Sequence, residues 1–493
     1  MSTFIVMNSP YTSKFIGILL VMMMFLQSCK KDDEPTKKDD TTSGEFAIDV
    51  GESQIPYVVI TTSGAIQNAK KIAAEMSIYM EKELLQTNFI GIEYRGSTSF
   101  RLSDKKSYGI ETWDEAGEDL DVSFFGWPEE EDWILMGQVV NLEENYQFDN
   151  TLLYHHLGYT ISRKMDRYAA RTQYVEVEIN GDYQGIYVFM EKLKRDGDRI
   201  DLSKLNPDEI SGEDLTGGYI LKIDKTSGGD GNANQPLEYF ENNWDDDARY
   251  TAENSFRSAY DINGQLLNFE PHGSPYHANM YLETYFNYEY PDADDLVAEQ
   301  KTYIQNHIHE FEEALLADDF SSEQRTYTDF IDVSTFVDYF LINELCRNVD
   351  AYRLSTYLTK DKNGLLSMGP VWDMNIGFDN GGRIPMDDWV INYNNHVSQD
   401  AWMMPFWWPR LMEDPQFRAL VKTRWQELRS GALSLTSLNA LVDESAAYLV
   451  DNGAIARNET VWSIGSDYNQ SIENLKNYFS ERTSWMDSEI NGF

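Results

Sequence analysis

The chain has 493 residues, 42% hydrophobic and 13% aromatic, which is ample for a sizeable core and more than one lobe and unlike a coiled coil or a disordered tail. Its 40 Lys and Arg stand against 83 Asp and Glu, a formal charge of −43, so the long-range field argues against nucleic acid as a partner, although a local cation and a divalent metal can still admit a nucleotide. Two cysteines, Cys29 and Cys346, leave no disulfide framework, and the fold must hold by packing.

Phe15 to Leu26 form a 12-residue apolar run behind Lys14, too short to span a bilayer and of the length of a secretory hydrophobic region. The run ends in Leu26-Gln27-Ser28-Cys29, which resembles the cleavage box of bacterial lipoproteins. Residues 1–28 are then a signal peptide, and Cys29 is the lipidated first residue of the mature chain; an ordinary signal peptide with an incidental Cys is the alternative. Lys30-Lys31-Asp32-Asp33-Glu34 resembles the acidic signal that sends lipoproteins of the Bacteroidetes group to the cell surface, so the expected location is the outer membrane, facing outward. Residues 29–45 read as a flexible acidic tether without apolar periodicity, and folding starts near Phe46.

Strands are expected at Ile55 to Ile60 and Phe89 to Tyr94. Tyr174 to Ile179 alternates strictly, Asn180-Gly181-Asp182 is a hairpin turn, and Gly185 to Met190 returns. Leu152, Leu153, Leu157 and Ile161 place a helix over 151–165 that packs on this sheet. Residues 226–291 read as a loop-rich insertion, in which turn chemistry explains the Gly and Asp runs better than a metal or phosphate loop. Ile304, Ile308, Phe311 and Leu315 mark one helix, and Phe336, Val337, Phe340 and Leu341 the next, with Ser334 as its N-cap. Helical patterning then dominates from Trp402 to the end.

Several chemistries lack their motifs. There is no Walker-type phosphate loop and no Gly-x-Ser-x-Gly elbow. His307 and His309 stand two apart on a helix, and His155 and His156 are adjacent, so neither pair makes a zinc site. Paired carboxylates for glycoside hydrolysis stay open among so many acids.

The informative stretch runs from Asn343 to Asn375 and reads as helix, loop, hairpin, loop. With the turn near Lys362, antiparallel pairing returns Asp373 to the end of the hairpin where Asp350 lies, with Ser355 and Asn375 beside them. Oxygen ligands of this kind suit Mg²⁺, which takes one or two carboxylates and leaves room for phosphates. One Asp for the hydroxyl, a neutral polar residue and a second Asp for the metal is also the logic of a kinase catalytic centre. From spacing alone, an acid-ended hairpin without chemistry reads as well.

Lys105-Lys106-Ser107-Tyr108-Gly109-Ile110-Glu111-Thr112, the segment Glu178 to Lys192 around Asn180-Gly181, and Gly369-Pro370-Val371-Trp372-Asp373-Met374-Asn375 together resemble the CotH family, the atypical kinases related to spore coat protein H, from about Ile55 to Trp462. The resemblance implies an α+β, two-lobed kinase-like fold that binds ATP with Mg²⁺ or Mn²⁺ and phosphorylates protein Ser or Thr. It assigns Asp350 as catalytic base and Asp373 as principal metal ligand, with Ser355 and Asn375 completing the metal set. Lys106 would contact nucleotide phosphates from a strand, assisted by Arg95, or alternatively be a solvated edge lysine, as its neighbour Lys105 is read; Glu191 would be the acid of the nucleotide lobe or, alternatively, a surface partner of Lys192 or Lys194. Ser355 stands where the better-characterised spore proteins have Asn, Asn375 where they have a second Asp, and Tyr154-His155 where the family often has Arg-Asn.

The expected organisation is thus a domain over 46–493, strand-rich at 46–225, loop-rich at 226–291 and helical with the catalytic hairpin at 292–493. Its expected function is that of a surface-anchored atypical protein kinase. The competing function is a non-catalytic binding protein on the same scaffold, using aromatic residues such as Trp402, Trp407 and Trp408 to engage glycan or protein.

Overall fold

The structure, a computed structural model, describes residues 46–68, 70–226, 243–380 and 382–493. Its first part is a closed barrel of seven strands: β1 (Tyr57–Thr62), β2 (Ile72–Met80), β3 (Glu83–Arg95), β4 (Ser107–Trp113), β5 (Asp132–Met136), β8 (Thr172–Ile179) and β9 (Asp182–Glu191). The spatial order is β1-β2-β3-β4-β5-β9-β8, closed by the parallel pairing of β1 with β8. Alternate residues fill the interior, among them Val58, Ile60, Met76, Ile92, Trp133, Val175, Val177 and Phe189. Asn180 and Gly181 both take positive φ, 54° and 85°, as a two-residue hairpin turn requires.

Three of the barrel strands, β2, β4 and β5, and the first half of β3 were hidden in the sequence. Between β2 and β3 the chain turns through Glu81 and Lys82 at φ 51° and 69°, without the Gly or Asn that marks such a turn. The outer face of β8 is also not solvated, as its polar alternation suggests. Glu176 is fully buried and held by the Arg457 guanidinium at 2.5 Å and the Tyr183 hydroxyl, and Glu178 accepts from the Tyr57 hydroxyl at 2.9 Å.

Between β3 and β4 runs a loop with a short helix, α1 (Thr98–Leu102), and a small ribbon of β6 (Val140–Asn141) and β7 (Tyr146–Gln147) precedes α2 (Tyr154–Lys164). A second sheet has the order β11-β12-β10-β13-β14, from β10 (Tyr219–Ile223), β11 (Ser255–Arg257), β12 (Tyr285–Tyr290), β13 (Thr356–Lys360) and β14 (Ser367–Met368). The hairpin β13-β14 pairs with β10, so one sheet gathers strands from all three expected sequence segments.

The helices α3 (Ala298–Leu316), α4 (Val333–Cys346), α5 (Tyr393–His396), α6 (Trp407–Leu411), α7 (Pro415–Arg429), α8 (Leu435–Asp451), α9 (Ala454–Asn458) and α10 (Tyr468–Asn491) complete the α+β fold. The stripe Ile304, Ile308, Phe311 and Leu315 is buried on α3 as expected. In α4 the cap is Asp332, whose carboxylate accepts the Ser334 N–H, so the cap lies two residues before the expected Ser334. Trp407 and Trp408 are 1% exposed and pack edge-on or tilted against Phe311, Phe336 and Tyr352, while Trp402 is half-buried and donates to the Tyr250 hydroxyl. Trp407 and Trp408 therefore belong to the core and present no surface for a glycan. Among the described residues, no helix is long and apolar enough to cross a membrane.

Candidate active site

Helix α4 is buried along nearly its whole length and ends where Arg347 turns left-handed at φ 50°. That reversal throws the chain into the loop that carries Asp350. Asn348 ties this loop to the far side of the hairpin: its amide donates to the Asp373 carbonyl at 3.2 Å. The Asp373 N–H in turn donates to the Tyr159 hydroxyl on α2 at 3.3 Å. Gly158 on the same helix lies where any Cβ would stand 2.6 Å from the Met374 side chain, so α2 packs closely beside the residue that follows Asp373. Asp373 itself sits at φ 52°, a strained conformation held by these contacts.

The structure brings Asp350 and Asp373 together with a third acid. Burial, then the negative charges of Asp350 and Asp224, push the Asp373 carboxyl up to about 7 against the opposing pull of Arg95 and Lys225. Asp224 follows β10 directly, and Ser355, at φ 46°, donates its hydroxyl to Asp224 Oδ2 at 3.4 Å. Lys222 pairs with Asp224 at 3.1 Å and lies 5.5 Å from the Tyr357 ring centroid. Asp224 escapes the sequence reading because its pairing partner β13 is far away in the chain; the run Tyr219-Ile220-Leu221-Lys222-Ile223 ending in an acid is its only local signal. Asn375 stands half-buried two residues beyond Asp373.

The cations divide differently from expectation. Arg95, at the end of β3, places its guanidinium 5.8 Å from the Trp372 ring centroid. Lys225 donates to the Thr98 hydroxyl at 2.6 Å and lies 3.6 Å from Asp247. Lys106 turns its amine onto the carbonyls of Phe100 and Ser103, at 2.7 and 2.6 Å. Lys105 is not a solvated edge residue. It is buried in the barrel wall, donates to the Ile186 carbonyl, and burial pushes its amine down to about 7. Glu191 is likewise buried, on Arg171 at 2.5 Å and within 3.9 Å of Arg199, while Lys192 and Lys194 turn to Asp132 and its neighbours. His155, at the Tyr154-His155 departure, is buried against Tyr159, and burial, then Arg95, push it down to about 3, so it is a neutral wall of the site. Cys29 lies outside the described residues.

Among the described residues, the one set of three potential ligands whose donor atoms all lie within 4.8 Å is Glu130, Glu131 and Asp132, and the Lys194 ammonium fills it at 2.6 Å from Glu130 and Glu131. Asp224, Asp350 and Asp373 stand wider than that. A wide, oxygen-only, electrostatically crowded set matches Mg²⁺ or Mn²⁺, which keeps positions for water and phosphate rather than a closed protein cage.

The pairing register puts Lys222 and Tyr357 on one face of the sheet together with Thr359 and Ser367. On that face, toward the hairpin tip, opens a cavity of about 540 Å³, lined by Thr359, Ser367, Val371, Tyr168, Ile200 and Leu202 among others. Its size is that of a small-ligand site. None of Asp224, Asp350 and Asp373 is among the residues that line it.

No curated protein matches the chain. A family model described as CotH kinase protein matches residues 92–486, which run from the end of β3 into α10 and include the acids Asp224, Asp350 and Asp373. The chain therefore belongs to the CotH kinase family and is a kinase-like protein.

Proposed function

We propose that the chain transfers the γ-phosphoryl group of ATP to Ser or Thr hydroxyls of protein substrates, and that lipid on Cys29 tethers it to the outer membrane at the cell surface. The observation that carries the reading is Asp373, raised to about 7 by burial and by Asp350 and Asp224 beside it. Acids held closer than their charges favour are relieved by a divalent cation. Asp373 and Asp224 would hold it, with Ser355 and Asn375 alongside. Bound there, Mg²⁺ or Mn²⁺ would neutralise charge on the phosphate oxygens.

The chain's own groups account for the rest. Arg95 and Lys225, whose charges act on Asp373, add positive charge where phosphates would lie. Asp350 accepts the proton of the acceptor hydroxyl as its oxygen bonds to the γ-phosphorus and the bond to the bridging oxygen breaks, releasing ADP.

A ligand that binds only the folded state stabilises it by about 2.7 kcal/mol at a hundredfold excess over its dissociation constant. ATP with Mg²⁺ should therefore raise the melting temperature, and Asp373→Ala should erase the rise; an equal rise in the variant contradicts the metal assignment. Wild-type protein that binds nucleotide but phosphorylates nothing would leave the scaffold as a binding protein. The anchor has its own test: Cys29→Ala should move the protein from the membrane to the soluble fraction, and absence of fatty-acid label on wild type would refute lipidation.

A further inference from the structure

Arg353 is a charged side chain only 1% exposed, and all three of its nitrogens are engaged. Nε donates to the Val349 carbonyl at 2.8 Å, Nη1 to the Trp402 carbonyl at 2.9 Å, and Nη2 to Asp350 Oδ1 at 2.6 Å. The guanidinium lies 4.3 Å from the Tyr393 ring centroid, and Nη1 comes within 3.6 Å of Asp400. Asp400 is fixed in turn by the Tyr393 hydroxyl at 2.6 Å and by Arg383 at 3.3 Å. A guanidinium is expensive to bury, and this one is compensated on every side. What it gains is direction: the Asp350 side chain stays 20% exposed while one of its two oxygens is held.

The local backbone sets this up. The Leu354 N–H donates to the Asp350 carbonyl at 2.9 Å, and Tyr352 takes φ 71°, so the chain coils back and returns residue 353 to residue 350. The fork then joins the catalytic loop at Val349 and Asp350 to the segment 400–402, which no sequence motif links to it.

We propose that Arg353 is a positioning residue for phosphoryl transfer: by fixing one carboxylate oxygen of Asp350 it turns the other toward the acceptor hydroxyl. The inference rests on the kinase reading given above. Misplacing a reacting group by about 1 Å can cost about a hundredfold in rate, so the effect falls on turnover and not on nucleotide binding. Lysine keeps the charge but cannot reach the Val349, Trp402 and Asp350 acceptors together.

The test compares wild type, Arg353→Lys and Arg353→Gln in steady-state transfer from ATP with Mg²⁺ to an acidic model protein, with melting curves recorded on the same preparations. Arg353→Gln should lower kcat about a hundredfold and Arg353→Lys about tenfold, with KM for ATP and the ATP-induced rise in melting temperature within about twofold of wild type. Should Arg353→Gln fail to fold, Arg353→Lys decides. Wild-type kcat in a folded variant, a change confined to KM, or a loss that only tracks the folded fraction would overturn the proposal and leave the kinase reading standing. A wild type that transfers no phosphate would overturn both.

Discussion

Asp373 is a group whose folded-state proton affinity opposes stability. Its carboxyl is raised from an ordinary 3.8 to about 7, so between those values the folded chain holds a proton that the unfolded chain has released. Its contribution to stability falls as pH rises through that window and does not return above it. Asp373→Asn removes the term, and the variant should melt above wild type at pH 8 without metal, while the two converge near pH 4. Melting curves at the two pH values decide it; a variant less stable than wild type at pH 8 would mean that Asp373 is better accommodated as an anion than its neighbours imply. The same residues show what a sequence can and cannot carry. Asp350 and Asp373 were legible because one hairpin joins them, and a hairpin is local. Asp224 was not, because strand pairing between β10 and β13 leaves no mark on either segment. Lys105 and Lys106 are neighbours of one type with opposite fates, decided by the barrel wall behind one of them.

Among the elements, the loop between β3 and β4 shows how the barrel engages the segment before β11. Asp247 is fully buried there, accepting from the Ser97 hydroxyl at 2.9 Å and Arg101 at 2.8 Å, with Lys225 at 3.6 Å. The Arg101 guanidinium also lies 4.3 Å from the Trp244 ring centroid. Removing one member of a buried pair leaves the other charge uncompensated, which typically costs about 3 to 5 kcal/mol. Asp247→Asn should lose that much stability in urea denaturation; a loss under about 1 kcal/mol would show that the cations find water or another acid instead. This clasp was read as turn chemistry because aspartates in a Gly- and Asn-rich run ordinarily face solvent. The helices fared better: a stripe of spacing three and four survives folding whatever it packs against, as Ile304 to Leu315 do on α3. Hairpin β8-β9 was legible from Asn180-Gly181, whereas β2-β3 turns at Glu81-Lys82, where no turn residue announces it.

For the whole molecule, a formal charge of −43 sets the background against which the site must work. An anionic nucleotide reaches it only if local cations and a metal reverse the field, and Arg95 and Lys225 beside Asp373 begin that reversal. The α+β architecture was legible from the change of periodicity along the chain. The boundaries at 225 and 291 were not, since one sheet draws β10, β11, β12, β13 and β14 from all three segments. The central claim is that this scaffold carries out phosphoryl transfer through Asp350, and one measurement meets it directly: incorporation of label from γ-labelled ATP with Mg²⁺ or Mn²⁺ into the protein itself or an acidic model protein, for wild type and Asp350→Asn. General-base assistance is worth about 10² to 10⁴ in rate, so wild type should incorporate phosphate on Ser or Thr and Asp350→Asn at least about a hundredfold less, with its ATP-induced rise in melting temperature retained. Equal incorporation by the two proteins, or none by wild type, would contradict the account.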